Sequence, residues 1–382
     1  MRYHFGKNWQ KYLRHFTDER VSTAINCLQS LTRDIKNRSF LDIGCGSGLH
    51  SLAALRAGAR EITSFDYDYD AVAATTSLWE KEGRPKHWTI LQGSVLDANF
   101  MQLLPKADIV YSCGVLHHTG NVWQSIRNAS TAMHNDSLFC IALYSASIYE
   151  NAQIYGCPSP HEWIKIKQNY NCASSLGKKI MEYAYAAGYY SGGISLRNLP
   201  QNMQRLFNQI RNYGKQRGME YWTDIRDWLG GLPMEFVREF DCAKLCINEL
   251  DLKLVKLNTG EGNTEYVFQK ENATTQYTET LHKRTVVELA APFEVNDPLV
   301  WRANLPDWKE YADNKIHPKQ STLLLWEDGI PLSLPHCTYD CLKHFGNGRY
   351  RHWEDKVYFS TSDNSNPNTN GRSYMCSIDS SN

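Results

Sequence analysis

The sequence lacks the features of a membrane-spanning or secreted chain. No run approaches the roughly 20 apolar residues that cross a bilayer, and the N-terminal stretch MRYHFGKNWQKYLRHF lacks the apolar centre of a signal peptide. The 11 cysteines include no Cys-x-x-Cys pair, which favours reduced thiols over a disulfide framework. We therefore predict a soluble cytoplasmic protein without a membrane partner.

The chain also lacks an excess of charge of either sign. Lys plus Arg and Asp plus Glu both number 41 in 382 residues, so the net charge gives no support for a nucleic-acid partner. One segment departs from this balance, because residues 145–220 contain 9 basic and 4 acidic side chains. A chain of this length is expected to form more than one domain.

The sequence does contain a regular alternation of short apolar runs and helical patterns between residues 39 and 145. The runs SFLDIG, EITSFD, HWTILQG, ADIVYSCG and SLFCIALYS read as strands, and segments with helical spacing separate the first three. Strands that alternate with helices predict a doubly wound, mostly parallel, Rossmann-like α/β sheet. Two later strands, DLKLVKLNTG and NTEYVFQK, are predicted to form a hairpin at the sheet edge, which makes seven strands in all.

The rest of the chain divides by composition into an insert, a linker and a tail. Residues 1–38 are predicted to be a helical N-terminal segment, and residues 39–270 the main domain with a helical lid insert at 145–235. The polar stretch at 271–284 reads as a linker. Residues 285–382 read as a small β-rich module, in which Asp328-Gly329 between two strand-like runs predicts a hairpin.

A glycine-rich turn follows the first predicted strand, in LDIGCGSG. Gly44, Gly46 and Gly48 have the spacing G-x-G-x-G, which differs from the dinucleotide-binding pattern G-x-G-x-x-G. Asp42, two residues before Gly44, can order the turn and face an ammonium group. These features favour a ligand with an amino-acid end, bound where the strand order of an open α/β sheet reverses.

A second carboxylate, Asp66, ends the second predicted strand. A carboxylate at this point can accept hydrogen bonds from both hydroxyls of a ribose. The alternative is that Asp66 only caps the following helix.

These motifs resemble those of class I S-adenosylmethionine-dependent methyltransferases, and the stretch DIVYSCGVLHHTGN is similar to the ubiquinone-biosynthesis type. The resemblance covers about residues 40–145 and implies S-adenosylmethionine as the cofactor. It also implies that the N-terminal helix closes over that cofactor and that Asp66 holds the ribose. The cofactor-binding residues it implies are Asp42, Gly44, Cys45, Gly46, Gly48, Asp66, Tyr67, Ser94, Val95, Asp97 and Ser112.

Two adjacent histidines, His117 and His118, follow the fourth predicted strand. In an extended loop they would point to opposite sides, so at most one would face a methyl acceptor. One of them, with His117 preferred, is a candidate general base, since an unperturbed imidazole has a pKa of about 6.5. The alternatives are loop residues without chemistry and a metal site.

The insert and the tail raise further candidates for binding. A basic, aromatic lid suits an anionic or ring-bearing acceptor, unless it is only a solvated surface. Asp224 or Asp227 is a candidate for bonding an acceptor hydroxyl, with helix capping and core packing as the alternative roles. In the tail, His336, Cys337, Cys341 and His344 are zinc-capable but lack the usual paired spacing. We predict no metal site.

The sequence therefore predicts an enzyme that transfers a methyl group from S-adenosylmethionine to an oxygen or nitrogen of a small molecule or glycan precursor. The β-rich tail would help to bind the acceptor or to assemble subunits, so a homo-oligomer stays open. One alternative is an RNA or DNA methyltransferase, which only the basic lid supports. The other is a non-catalytic scaffold that binds the cofactor.

Overall fold

The computed structural model describes residues 2–13, 16–32, 34–150, 157–191, 208, 210, 213, 220–259, 262–270, 284–333 and 335–379. The predicted linker at 271–284 lies outside these residues except for Arg284, as does part of the predicted lid.

A seven-stranded sheet organises the first two thirds of the chain. Its strands are β1 (Ser39–Ile43), β2 (Glu61–Asp66), β3 (Trp88–Gln92), β4 (Ala107–Cys113), β5 (Met133–Tyr144), β6 (Leu252–Asn258) and β7 (Asn263–Lys270). Their order is β3-β2-β1-β4-β5-β7-β6. Strand β1 is parallel to both β2 and β4, whereas β6 and β7 are antiparallel. The predicted Rossmann-like sheet and its edge hairpin are therefore confirmed.

The position of β1 explains where a ligand crevice forms. All five residues of SFLDI are buried, as expected for a parallel strand with both faces covered. The chain runs outward from β1 through β2 to β3 and then returns to β4 on the other side of β1. This reversal of direction leaves the carboxyl ends of β1 and β4 without a crossover above them, which is where open α/β sheets bind ligands.

Helices precede the sheet, connect its strands and follow it. They are α1 (Phe5–Tyr12), α2 (Asp18–Thr32), α3 (Leu49–Arg56), α4 (Tyr69–Lys81), α5 (Ala98–Leu103), α6 (Val122–Ser130), α7 (Ala146–Tyr149), α8 (Pro160–Cys172), α9 (Ser175–Ser191), α10 (Tyr221–Gly230), α11 (Glu239–Lys244) and α12 (Tyr339–Phe345). Side-chain caps fix several starts: Asp68 accepts a hydrogen bond from the Asp70 amide, and Asn121 accepts one from the Gln124 amide. Within the predicted lid, the described residues are largely helical.

The chain divides into two compact units. The first comprises residues 1–141 and 161–235, and the second comprises 142–160 and 236–382. The lid helices α8, α9 and α10 thus belong largely to the first unit. The domain boundaries inferred from the sequence stay a prediction.

The second unit contains two four-stranded sheets beyond β7. One has the order β13-β14-β10-β9 and the other β12-β11-β15-β8. The strands are β8 (Arg284–Leu289), β9 (Glu294–Asp297), β10 (Val300–Asn304), β11 (Leu324–Glu327), β12 (Ile330–Pro331), β13 (Tyr350–Trp353), β14 (Lys356–Phe359) and β15 (Tyr374–Asp379). Buried apolar side chains such as Leu325, Val357 and Phe359 form their core. The β-rich character of the tail is confirmed.

The predicted hairpin at Asp328-Gly329 is also confirmed. Asp328 has a φ of 48° and Gly329 one of 76°, and they join β11 to β12. Left-handed backbone at both central residues is the geometry of the two-residue turns that match the twist of a hairpin.

Candidate active site

The glycine turn after β1 has the left-handed backbone that its sequence predicts. The φ angles of Gly44, Gly46 and Gly48 are 74°, 55° and 78°, a region that other L-residues rarely adopt. At Gly46, a β-carbon would lie 3.0 Å from Nε1 of Trp9 in α1. The glycine thus allows the turn and the N-terminal helix to approach each other closely.

Asp42 lies beneath this turn and is 3% exposed. Its Oδ2 accepts a hydrogen bond of 2.5 Å from the Ser51 hydroxyl of α3, and the Ser51 and Ser64 hydroxyls are 2.7 Å apart. Burial, together with a smaller contribution from the nearby charge of Asp66, raises the pKa of Asp42 to about 7. These contacts link β1 to α3 and β2, and the role of Asp42 in ordering the turn stays a prediction.

Asp66, at the end of β2, is bound directly to the turn. The Gly46 amide donates to its Oδ2 at 3.0 Å, and the Asp68 amide donates to its Oδ1 at 2.8 Å. Burial raises the pKa of Asp66 to about 6. It is Asp68, and not Asp66, whose side chain caps the following helix, so the capping alternative for Asp66 is wrong.

These two carboxylates make the crevice suited to a cationic ligand. Asp42 is buried and Asp66 is partly buried, and the charge of Asp66 opposes the ionisation of Asp42. A cation placed beside them would offset the cost of keeping them ionised. The ammonium and sulfonium groups of S-adenosylmethionine supply such charge, so the residues present fit the cofactor that the resemblance implies.

The residues predicted to line the adenine differ in their exposure to solvent. The Tyr67 ring is 55% exposed, with the Arg2 guanidinium 4.1 Å above it. Val95 is buried, and its carbonyl accepts a hydrogen bond from Asn128 at 2.8 Å. Ser94 accepts one from the Leu96 amide at 3.2 Å.

Three other predicted cofactor residues make hydrogen bonds within the protein itself. The Asp97 carboxylate caps α5 by accepting from the amides of Asn99 and Phe100 at 3.0 and 3.1 Å. The Ser112 hydroxyl donates to the Ile43 carbonyl at 3.1 Å and so ties β4 to β1. Buried Cys45 accepts a hydrogen bond from Thr75 at 3.3 Å. Direct contact of these residues with the cofactor stays a prediction.

The two histidines after β4 lie in a short 3₁₀ helix, Leu116–His118. Their rings are 4.5 Å apart, so the expectation of an extended loop with opposed side chains is wrong. The helical turn forms because the His118 amide bonds to the Val115 carbonyl at 2.8 Å. His117 is completely buried, whereas His118 is half-buried.

The His118 ring has a defined tautomer. Its Nδ1 lies 2.7 Å from the Pro233 carbonyl, and because a carbonyl only accepts, Nδ1 carries the proton and Nε2 carries the lone pair. Loss of hydration lowers the pKa of His118 to about 3, and the charge of Lys167 contributes to this. The ring is therefore neutral at pH 7.

The N-terminal helix α1 packs against several parts of the site, and its closure over the cofactor stays a prediction. The Gly6 amide donates to Asp68 Oδ2 at 3.0 Å, and the Asn8 amide group donates to Asp227 Oδ1 at 2.9 Å. Trp9 lies against Gly46, and the Phe5 ring is 5.1 Å from the His118 ring. One helix thus contacts the glycine turn, the second-strand loop and the histidine loop.

A buried cation and a buried carboxylate lie on the lid side of this helix, and the sequence gives Lys167 no distinguishing signal. Lys167 is fully buried, donates to the Trp228 carbonyl, and lies 5.7 and 5.2 Å from the Trp163 and Trp228 ring centres. Burial lowers its pKa to about 7. Burial raises the pKa of Asp227 well above its usual range. Asp227 accepts a hydrogen bond from Asn8, and Asp224 accepts one from the Tyr213 hydroxyl. A role of either carboxylate in bonding an acceptor stays a prediction.

The zinc-capable residues of the tail have other partners. His336 Nδ1 lies 2.7 Å from Asp313 Oδ2, and His344 Nδ1 lies 2.7 Å from the Asp340 carbonyl. Cys337 and Cys341 are buried, and each thiol shifts the pKa of the other. Within the described ranges, no three His, Cys, Asp or Glu side chains are grouped as metal ligands.

Two further findings concern the described part of the chain as a whole. No helix in it is long and apolar enough to cross a membrane. All 11 cysteines are described, and none forms a disulfide.

Strand order, glycine turn and paired carboxylates together define a class I S-adenosylmethionine-dependent methyltransferase domain. The family described as "Ribosomal protein L11 methyltransferase (PrmA)" matches residues 20–113, from α2 to the end of β4. The ubiquinone-type qualifier stays a prediction.

Curated relatives carry the same family name. The ribosomal protein L11 methyltransferase of Bacillus pumilus is 32% identical over 104 residues, which cover 23% of this chain and 33% of that protein. The enzyme of the same name from Shewanella piezotolerans is 40% identical over 68 residues, 18% of this chain and 23% of that protein. The chain thus spans a third or less of the length of these relatives.

Solved structures give a weaker likeness. An O-methyltransferase family protein from Burkholderia thailandensis has a TM-score of 0.39 at 10% identity, with 66% of this chain and 56% of that chain covered. The magnesium protoporphyrin IX methyltransferase of Synechocystis, solved with bound S-adenosylhomocysteine, has a TM-score of 0.37 at 12% identity, with 66% and 82% covered. Scores of this size do not add to the assignment.

Proposed function

We propose that this protein transfers a methyl group from S-adenosylmethionine to an oxygen or nitrogen atom of a small molecule or glycan precursor in the cytoplasm. The observation that carries the proposal is the pair of carboxylates, buried Asp42 and partly buried Asp66, held at neighbouring strand ends around the Gly46 turn. This arrangement recognises a cationic nucleoside with an amino-acid end.

The bound cofactor supplies an electrophilic methyl group on a sulfonium, and the protein orients the acceptor and accepts its proton. Methyl transfer needs the attacking atom, the methyl carbon and the sulfur in line, so positioning contributes much of the rate. The proton of a hydroxyl or amine acceptor goes to a base. His118 offers its Nε2 lone pair, because Nδ1 is held by Pro233. His117 is the other candidate base. Because its side chain is completely buried, it could accept a proton only from an acceptor that is itself enclosed by the protein.

Cofactor binding gives the first test. Asp42→Asn and Asp66→Asn keep the shape of each side chain and remove its charge. We expect each to weaken S-adenosylmethionine binding at least about tenfold, or about 1.4 kcal/mol, as measured by titration calorimetry. Asp34→Asn, which changes an exposed carboxylate that accepts a hydrogen bond from the Lys36 amide, is the matched control. Unchanged S-adenosylmethionine affinity in both site variants would refute the proposed function, including the inference that the protein is a methyltransferase.

The base is tested separately from the cofactor. His117→Asn and His118→Gln are expected to leave the cofactor Kd unchanged, and the variant that lacks the base should lose about 10²–10⁴-fold in turnover. Equal losses below tenfold in both variants would show that the histidines only position the loop.

The acceptor of the named relatives offers a second candidate, since their printed name specifies ribosomal protein L11. The family match ends at residue 113, before the histidine loop and the lid, so it supports the cofactor domain more than a protein acceptor. Incubation of the enzyme with methyl-labelled cofactor and separate pools of small metabolites, ribosomal proteins and RNA distinguishes these acceptors. Label in the protein or RNA pool alone would contradict the small-molecule proposal. Cofactor binding without label in any pool would favour the scaffold alternative.

A further inference from the structure

A basic cleft opens between the N-terminal helix and the lid, within the first compact unit. Its volume is about 660 Å³. Neither the glycine turn nor Asp66 lines it, and its one link to the predicted cofactor residues is Arg2, whose guanidinium lies 4.1 Å from the Tyr67 ring. The cations that line it are Arg2, Lys7, Lys11, Lys178, Lys179 and Arg226.

The cleft contains one acidic residue, Glu182, whose charge is already matched. Arg226 Nε lies 3.3 Å from Glu182 Oε2, and the Tyr170 hydroxyl donates to Glu182 Oε1 at 2.7 Å. Within the described residues, Lys7, Lys11, Lys178 and Lys179 form no ion pair. The cleft therefore has a local excess of positive charge on a chain of zero net charge.

Three separate elements contribute these charges. Lys7 and Lys11 project from one face of α1, since residues four apart lie on the same face of a helix. Lys178 and Lys179 come from α9, where Lys178 Nζ lies 5.5 Å from the Tyr170 ring centre. Arg2 precedes α1. Like charges brought together without counter-charges repel one another, so an anion between α1 and α9 would stabilise this arrangement.

We propose that this cleft is a binding site for a phosphate or diphosphate group, and that this group belongs to the methyl acceptor. The second half of the inference rests on the proposed function. The helix segment around Asn8 connects the cleft with the cofactor turn. Lys7 lines the cleft, and Trp9 lies against Gly46 of the turn. The side chain of Asn8 itself donates to Asp227. An acceptor held here by its phosphate would extend along α1 toward the histidine loop, since Phe5 of the same helix contacts His118.

The test uses the full chain with four lysines replaced by glutamine: Lys7→Gln, Lys11→Gln, Lys178→Gln and Lys179→Gln. The control has the same net charge and carries Lys36→Gln, Lys81→Gln, Lys86→Gln and Lys165→Gln, which change exposed lysines outside the cleft. Inorganic pyrophosphate and uridine diphosphate are the soluble probes, and vesicles that contain a polyprenyl diphosphate are the membrane probe.

We expect the wild type and the control to bind a diphosphate probe at 0.15 M salt. An exposed ion pair changes an equilibrium about twofold to fivefold, so the cleft variant should bind at least about tenfold more weakly. Stronger binding of uridine diphosphate would identify a soluble acceptor, and stronger binding of the vesicles a lipid-linked one. Equal affinities in the cleft and control variants, or no binding by the wild type, would overturn the proposal.

A nucleic acid is the competing polyanion, and a single-stranded RNA of 20 nucleotides tests it. Cleft-dependent RNA binding with a steep loss in salt, together with no binding of either diphosphate, would overturn the phosphate-site proposal. S-adenosylmethionine affinity is measured on the same samples. Cofactor binding without diphosphate binding would refute this inference alone. Diphosphate binding without cofactor binding would refute the proposed function and the assignment of the bound group to a methyl acceptor, whereas the phosphate site itself would stand.

Discussion

Replacement of Gly46 by alanine tests the geometry of the cofactor turn directly. The new methyl group would lie 3.0 Å from Nε1 and 3.2 Å from Cε2 of Trp9, on a backbone with φ of 55°. Alanine in the left-handed region costs about 1–2 kcal/mol. The contacts with the indole require a further shift of a few tenths of an ångström, in the turn or in α1.

Gly83→Ala is the matched control, because Gly83 has a φ of 79° and open space around its β-carbon position. Both variants should lose about 1–2 kcal/mol of unfolding free energy, or about 2–8 °C in the melting temperature. Only Gly46→Ala displaces Trp9 from the turn whose amide binds Asp66. We therefore expect its S-adenosylmethionine affinity to fall at least about tenfold, or about 1.4 kcal/mol.

Two measurements decide the outcome: thermal unfolding without ligand and calorimetric titration with the cofactor. Cofactor affinity of Gly46→Ala within twofold of that of Gly83→Ala would refute the reasoning, since the left-handed strain is common to both. A stability loss in Gly46→Ala with full retention of binding would place the ligand away from this turn.

Three other consequences follow from burial. Burial raises the pKa of Asp42 to about 7 and that of Asp66 to about 6. Because the ionised carboxylates bind the cationic cofactor, S-adenosylmethionine affinity should decrease as pH falls from 8 to 5, by up to about tenfold per pH unit below each pKa. A calorimetric affinity that does not change with pH would contradict this. Burial lowers the pKa of Lys167 to about 7, while the unfolded amine stays protonated to about pH 10. This lysine should therefore make the free energy of unfolding rise between pH 7 and 10, and Lys167→Met should remove that dependence in denaturant titrations. Leu325→Ala, in the core of the second unit, should cost about 2–5 kcal/mol, and a loss below 1 kcal/mol would show that this core is loosely packed.

Local patterns were sufficient for the elements that repeat a known periodicity. The run SFLDIG predicts β1 because a strand covered on both faces is continuously apolar, and Asp328-Gly329 predicts its hairpin because few residues accept two left-handed positions. The glycine spacing and Asp66 predict the cofactor turn in the same way. Each of these inferences depends on residues within a few positions of one another.

The histidine loop shows where such inference ended. An extended segment was expected, but the hydrogen bond from the His118 amide to the Val115 carbonyl closes a 3₁₀ turn, and Pro233 fixes the His118 tautomer from 115 residues away. The partnership of Asn8 with Asp227, 219 residues apart, had no local signal either. The basic cleft likewise depends on lysines of α1 and α9 that only folding brings together.

By itself the sequence determined the sheet, the cofactor turn and its two carboxylates, because backbone conformation and side-chain alternation are set by near neighbours. Only the tertiary structure decided which charges are buried, which tautomer His118 adopts and where the cations of the lid and the N-terminal helix converge. Those properties depend on solvent exclusion and on distances between residues far apart in the chain, and neither quantity exists until the chain has folded.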